Sequence, residues 1–485
     1  MPKFKVLLCA MPDTALCFKR VGDIPNLGIA SLAGNLPEGV EVKLVDLVVP
    51  YTNTGRLVRE LLRDFRPDMV GLSAMSYQYD SAARVAALVR EERPGVPVVL
   101  GGYHATLLAD EVSRGPHGDR FDYFVRNEGE LAFARLVEAV AGGARREEVE
   151  KVPNLTWRDG GDLRQNESHG LLELADVKLP NRRARVIRDF YYFGKAFDCV
   201  ETTRGCTLPC NFCSITRMYG TSFRAYDPAR VVADLADLAE GGVRGVLLVD
   251  DNITIDVPRL KDLCRAIIDA GLPAKVELMT QASVTGVHKG GAELGRLMGA
   301  AGFHSVFLGI ENTDPLTLRK IKKGDITELT KSAIKHLHHN GICVIGGFVT
   351  GMPEDDRDSV RRLYRAARKL EVDHIVVQCV TPYPKTEMRQ QLIDRGLVVN
   401  KDDFSRYNGF ICNVRTENMS AEELARAMNI EYLKLYFNPL YLGRSRFMRR
   451  RNIGRLRSLG RLTLNTLNFF PNLYKNELFL SRHSV

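Results

Sequence analysis

Cys206, Cys210 and Cys213 fall within one short run, Thr203-Arg204-Gly205-Cys206-Thr207-Leu208-Pro209-Cys210-Asn211-Phe212-Cys213. Thiolates in a CxxxCxxC spacing can take three corners of an iron–sulfur cube, since cysteine is the usual cluster ligand. No fourth cysteine completes the local set. The iron left without a protein ligand is then a coordination site open to a substrate or cofactor, whereas a pure electron carrier would close all four corners. Structural zinc asks for four Cys or His ligands, usually as two spaced pairs, and the next histidine downstream is His288. Nothing in the sequence calls for the oxidising compartment that a disulfide needs.

The chain has 485 residues, enough for two or three domains. A hydrophobic content of 45% and a charged content of 26% are ordinary for a globular protein. Lys3 and Lys5 lead straight into Val6-Leu7-Leu8-Cys9-Ala10, so no signal peptide is expected. No run reaches the roughly eighteen apolar residues of a membrane span. Ten cysteines in such a chain point to a reducing, cytoplasmic setting. Cys9, Cys17, Cys199, Cys264, Cys343, Cys379 and Cys412 are scattered singly, mostly in apolar segments, and read as inert core thiols.

Residues 1–141 alternate short β-branched runs with helical patterns, the mark of a doubly wound parallel sheet. Strands are expected at Lys5–Ala10, Val42–Leu47, Met69–Ala74, Val96–Gly101 and Tyr123–Val125, with helices between them and a closing helix over Glu128–Ala141. Such a fold binds its ligand at the carboxyl ends of the strands. Gly101-Gly102 ends the fourth strand there, either admitting a large ligand to the backbone or simply making a tight turn. Residues 142–195, with Gly, Arg and Glu runs and a hairpin signal at Asp159-Gly160-Gly161-Asp162, read as a linker.

From residue 196 to about 395 a second alternation begins. Strands at Cys199–Thr203, Gly245–Asp250, Val276–Thr280, Ser305–Ile310, Cys343–Val349 and His374–Val380 predict a partial (β/α)6 barrel, with its active site at the carboxyl ends of the strands. Polar or glycine residues follow several of them: Asp250-Asp251-Asn252, Gln281, Gly309-Ile310-Glu311-Asn312, Gly346-Gly347, and Thr381-Pro382-Tyr383. Each taken singly is equally a helix cap. Jointly, polar strand ends beside a cysteine loop point to a cofactor site, with Asp250 and Gln281 able to accept from amino or ribose hydroxyl groups. Residues 396–485 read as a mostly helical C-terminal region, opening on the capping signal Ser420-Ala421-Glu422-Glu423.

The cysteine loop, with Phe212 before its last cysteine, resembles the radical S-adenosylmethionine (SAM) enzymes. The resemblance covers residues 196–395. It implies a [4Fe–4S] cluster on Cys206, Cys210 and Cys213 whose open iron binds SAM, with Phe212, Asp250, Gln281, Gly309, Glu311 and Gly346 as cofactor contacts. Ahead of it, Gly71-Leu72-Ser73 and Leu100-Gly101-Gly102-Tyr103-His104-Ala105-Thr106 look like the cobalamin-binding domain of one large subfamily, implying cobalamin contacts at Ser73, Gly101 and Gly102. One departure is informative. Mutase-type cobalamin domains carry a D-x-H-x-x-G loop whose histidine ligates cobalt, and here the region reads Pro12-Asp13-Thr14-Ala15-Leu16-Cys17. That implies base-off cobalamin without a histidine lower ligand; His104 is the alternative ligand to weigh.

The subfamily implies methylation of an unactivated carbon in a small-molecule or lipid substrate, through a 5′-deoxyadenosyl radical and methylcobalamin. An external electron donor such as flavodoxin or ferredoxin is implied with it. No protein acid or base is required, although Tyr383 and Glu311 stand at strand ends. Cyclase or rearrangement chemistry without methyl transfer is an alternative, as is a non-catalytic cobalamin-binding iron–sulfur protein. Arg444, Arg446, Arg449, Arg450, Arg451, Arg455 and Arg457 concentrate part of the net charge of +9. With the apolar residues of Phe447–Phe470 they could form a basic amphipathic helix at the inner membrane face, or a helix packed on the barrel with its arginines solvated. No RNA-binding module accompanies the charge, so no nucleic-acid partner is expected.

Overall fold

The computed structural model describes residues 3–13, 22–49 and 54–438. The basic stretch from Arg444 onward and Cys17 lie outside the described residues. The chain divides into two compact units, one mainly Pro25–Asp189 with the N-terminal strand, the other mainly Phe190 onward.

The first unit runs β1 (Lys5–Ala10), α1 (Leu27–Gly34), β2 (Glu41–Asp46), α2 (Thr54–Phe65), β3 (Met69–Ser73), α3 (Tyr79–Glu92), β4 (Val98–Gly101), α4 (Tyr103–Arg114), β5 (Tyr123–Val125) and α5 (Gly129–Ala141). The strand order is β2-β1-β3-β4-β5, all parallel, so the switch point lies between β1 and β3. A strand buried on both faces must be apolar throughout, and β1 is: Val6, Leu7, Leu8 and Cys9 are all buried. α1 starts where Asn26 Oδ1 accepts from the Ile29 N–H at 3.0 Å.

The hairpin expected at Asp159–Asp162 forms between β6 (Leu155–Asp159) and β7 (Asp162–Gln165), but it is not part of a linker. β6 pairs antiparallel with β5 and extends the sheet. The physical reason is Trp157, which is buried in the first core while its Nε1 donates to Asn166 Oδ1 at 3.0 Å. The first unit therefore continues to Asp189.

The second unit contains β8 (Tyr191–Tyr192), β9 (Lys195–Val200), α6 (Pro228–Glu240), β10 (Gly245–Leu248), α7 (Val257–Asp269), β11 (Glu277–Ser283), α8 (Val284–Ala300), β12 (Phe303–Glu311), α9 (Pro315–Lys320), α10 (Thr327–His339), β13 (Cys343–Thr350), α11 (Arg357–Lys369), β14 (His374–Cys379), α12 (Glu387–Asp394) and α13 (Ala421–Tyr436). β9 through β14 pair in chain order, each parallel to the next, as a six-strand half-barrel with β8 antiparallel at its edge. Helix starts are capped by acidic or hydroxyl residues: Asp227, Asp256, Asp314, Asp356 and Thr386 each accept from a first-turn N–H. The Ser420–Glu423 capping box begins α13 as its sequence predicts.

Side chains alternate across this sheet. Val246, Leu278, Leu308 and Val344 are buried on one face. Leu247, Met279, Phe307, Ile345 and Val376 alternate with them and stay partly open on the other. The scattered cysteines that are described (Cys9, Cys199, Cys264, Cys343, Cys379 and Cys412) are all buried. Burial pushes the Cys9 and Cys264 thiols up to about 12, consistent with unreactive packing.

Candidate cluster and cofactor sites

The cysteine loop leaves the half-barrel after β9 and is held from several directions. Asp250, fully buried beyond β10, accepts from the Thr202 N–H at 2.9 Å and from the Thr202 and Thr203 hydroxyls at 3.0 and 2.8 Å. The Thr203 N–H donates to the same carboxylate. The Gly205 N–H donates to Asp251 Oδ2 at 2.9 Å. Thus Asp250 and Asp251 are not helix caps; their carboxylates fix the approach to Cys206. Gly205 itself has φ +89, and a Cβ there would lie 2.4 Å from the Ser222 carbonyl oxygen, so the turn into Cys206 admits glycine alone.

Further along, the Asn211 N–H donates to the Ile321 carbonyl at 3.3 Å and its Nδ2 to the Lys320 carbonyl at 3.0 Å. The Asn211 carbonyl accepts from the Met388 N–H at 3.1 Å. The loop between Cys210 and Cys213 is thereby tied to the ends of α9 and α12. Cys210 is buried, while Cys206, Phe212 and Cys213 are half-buried. Burial raises the Cys210 thiol, and pushes that of Cys213 up to about 11, so metal uptake must draw their protons off. Among the described residues no group of three or more His, Cys, Asp or Glu converges on a single-ion site. A cube takes one thiolate on each of three irons, so its ligands stand apart on such a loop.

The open face of the sheet adds the remaining predicted contacts, with two differences. Gln281 lies inside β11, which runs on to Ser283, and is exposed on the open face opposite Phe307 of β12. Gly346 points the other way: a Cβ there would meet Phe348, Val372 and Ile310. Gly347 takes the open face instead, where a Cβ would press 2.4 Å against the Phe307 ring. The period-two pleat decides between adjacent glycines, and a glycine pair in sequence carries no such phase. Gly309 also faces the open side, opposite Gly347. The register then shifts between Gly309 and Glu311, and Glu311 takes φ +65, the geometry of a β-bulge that re-aims its side chain. Glu311 Oε1 accepts from Lys323 Nζ at 3.0 Å, a partner that nothing local in the sequence marks. Tyr383 is half-buried, and desolvation together with Cys213 pushes its phenol up to about 12, which keeps it neutral.

In the first unit, Ser73 and Gly101 pair at the carboxyl ends of β3 and β4. Gly101 leaves open space around its missing Cβ, the nearest atom being the Val125 carbonyl oxygen at 3.8 Å. Gly102 has φ +91, and a Cβ would stand 2.8 Å from the Ala74 carbonyl oxygen. The open space at Gly101 suits a broad ligand laid on the strand ends, whereas Gly102 is required by the turn itself. Gln78, which sequence reasoning missed, links the two loops at the switch point: its Nε2 donates to the Asp13 carbonyl at 2.8 Å and its Oε1 accepts from the Met75 N–H at 2.9 Å. His104 is only 1% exposed, stacked at 4.5 Å on Tyr79, and burial lowers its pKa to about 4. A ring enclosed in this way does not face a ligand on the strand ends.

Comparison with known proteins agrees with this architecture. Residues 14–137 match the B12 binding domain family, and residues 200–367 match the Radical SAM superfamily. The chain is 27% identical to an uncharacterized methyltransferase of Pyrococcus horikoshii, covering 91% of this chain and 94% of that one. It is also 27% identical to the anaerobic magnesium-protoporphyrin IX monomethyl ester cyclase of Cereibacter sphaeroides, covering 86% of this chain and 67% of that one. In fold it resembles the radical SAM methyltransferase TsrM of Kitasatospora setae, solved with tryptophan substrate and a SAM analog. The TM-score is 0.66 at 18% identity, over 91% of this chain and 90% of that one. With a B12-binding domain and a radical SAM domain on one polypeptide, the chain has the two-domain make-up of the cobalamin-dependent radical SAM enzymes.

Proposed function

We propose that this enzyme methylates an unactivated carbon of a small-molecule or lipid substrate. The observation that carries the proposal is the pairing, on one chain, of a three-cysteine loop ending a half-barrel strand with a cobalamin-type unit whose loop after the first strand lacks the D-x-H-x-x-G histidine. When bound, the cluster supplies one electron for reductive cleavage of SAM, and cobalamin supplies the methyl carrier.

The residues divide the remaining work. Cys206, Cys210 and Cys213 hold the cluster, while Asp250, Asp251 and Asn211 fix the loop that carries them. Phe212, Gln281, Gly309, Glu311 and Gly347 would contact SAM. Ser73, Gly101 and Gly102 would do the same for cobalamin. A neutral Tyr383 and an ion-paired Glu311 are poorly placed to move protons, in keeping with chemistry that begins by hydrogen-atom abstraction.

The test is anaerobic reconstitution with iron, sulfide, cobalamin and SAM labelled in its methyl group, with a low-potential reductant. Formation of 5′-deoxyadenosine together with label in an organic product supports the proposal. An intact cluster without SAM cleavage overturns it in favour of a non-catalytic carrier. SAM cleavage with a product of unchanged carbon count favours the second reading, cyclisation, which the cyclase relatives keep in view. The near end-to-end match with the Pyrococcus methyltransferase supports methyl transfer. An external one-electron donor of the flavodoxin or ferredoxin kind belongs to the same proposal. No helix among the described residues is long and apolar enough to cross a membrane. Membrane contact through Phe447–Phe470 predicts that deleting residues after about 440 lowers liposome binding, and unchanged partitioning sinks it.

A further inference from the structure

α9 is short, and the chain reverses sharply after it. Lys322 at φ +59 and Gly324 at φ +76 both take left-handed conformations on either side of Lys323. The Lys323 N–H closes the turn by donating to the Leu318 carbonyl at 2.9 Å. This turn is held by the two hydrogen bonds from Asn211 to the carbonyls of Lys320 and Ile321. Lys323 is therefore fixed relative to the segment that follows Cys210. Its ammonium reaches Glu311 Oε1 at 3.0 Å, with side-chain exposures of 11% for Lys323 and 14% for Glu311. A Cβ on Gly309 would lie 2.8 Å from that carboxylate oxygen and 3.3 Å from the ammonium, so the pair occupies the open face of β12.

Desolvation offsets much of the attraction within a buried ion pair, so the contact with Glu311 alone does not explain why a lysine is buried there. Cluster potentials respond to local charge and burial.

We propose that Lys323 is a positioning residue that sets the redox balance of the cluster, with Glu311 as its opposing charge. The inference rests on the cysteine loop holding a [4Fe–4S] cluster. Adding one electron to the cluster raises its negative charge by one, and an ammonium fixed against the loop that carries the three cysteines favours that state. Glu311 disfavours it.

The experiment is a redox titration of the reconstituted full chain against mediator dyes and dithionite, followed by electron paramagnetic resonance, with iron content measured alongside. At fixed potential, Lys323→Gln should lower the reduced-to-oxidised ratio about tenfold, a midpoint ~59 mV more negative for a one-electron couple. Lys323→Arg should keep the wild-type midpoint. Glu311→Gln should move it the opposite way, a pair of signs that loss of packing would not produce. A Lys323→Gln protein with full iron and the wild-type midpoint overturns the inference, as do both variants moving in one direction. If Lys323→Gln does not retain iron, Glu311→Gln decides: a higher midpoint supports the inference and an unchanged one overturns it. A wild-type chain that binds no iron overturns the cluster assignment, and the inference with it.

Discussion

Replacing Asp250 with alanine isolates the support of the cysteine loop from its chemistry, because the carboxylate meets Thr202 and Thr203 and none of the cysteines. The substitution strands two backbone N–H groups in a fully buried site; the threonine hydroxyls can rotate towards other acceptors. A buried donor left without a partner costs about 1–3 kcal/mol, so the pair costs about 4 kcal/mol. Arg259, whose Nη2 donates to the Thr202 carbonyl at 2.7 Å, also loses its neighbouring negative charge. At roughly 2–4 °C per kcal/mol, the melting transition of the second unit should fall by about 8–16 °C. Circular dichroism on cluster-free protein reads the stability, and iron content after reconstitution reads the consequence for the loop. Asp250→Asn keeps one acceptor oxygen and should fall between wild type and alanine on both measures. Wild-type melting and full iron loading in Asp250→Ala would refute the claim that this carboxylate holds the loop.

Gly205→Ala should lower iron loading sharply, since a left-handed non-glycine residue costs about 1–3 kcal/mol before any clash with Ser222 is added; normal loading would show that the turn can be rebuilt. His104→Gln should leave the absorption spectrum of bound cobalamin unchanged, and a coordination shift would place that histidine on cobalt. Ser420→Ala, which breaks the capping box of α13, should cost about 1 kcal/mol in chemical denaturation without altering SAM cleavage; a loss of cleavage would tie the C-terminal helix to the site.

Element type and fold class were legible because both units are built from parallel strands with continuous apolar cores. Lys5–Ala10 and Tyr123–Val125 form with the bounds their sequence predicts. What was not legible has a common cause, that it depends on phase or on long-range partners. Gly346 and Gly347 differ only in which side of the pleat they take. Gln281 follows a strand end in the sequence pattern, yet β11 runs two residues beyond it because Ser283 pairs with Gly309. The hairpin after residue 154 has the turn chemistry of a linker loop, and only pairing with β5 makes it sheet. The roles of Asp250 and Asp251 as holds for the cysteine loop, and of Lys323 as a partner of Glu311, rest on contacts between residues distant in sequence.

The holds on the cysteine loop also set an order of events during synthesis. Cys206–Cys213 leaves the ribosome well before Asp250, Ile321 and Met388, each of which supplies one of its fixed contacts. At about 5–20 residues per second, Met388 follows Cys213 by roughly 10–35 s. During that interval the nascent thiols sit on an unsupported segment. A fully supported loop is thus available for cluster insertion only after residue 388 has emerged, and its thiols must stay reduced until then.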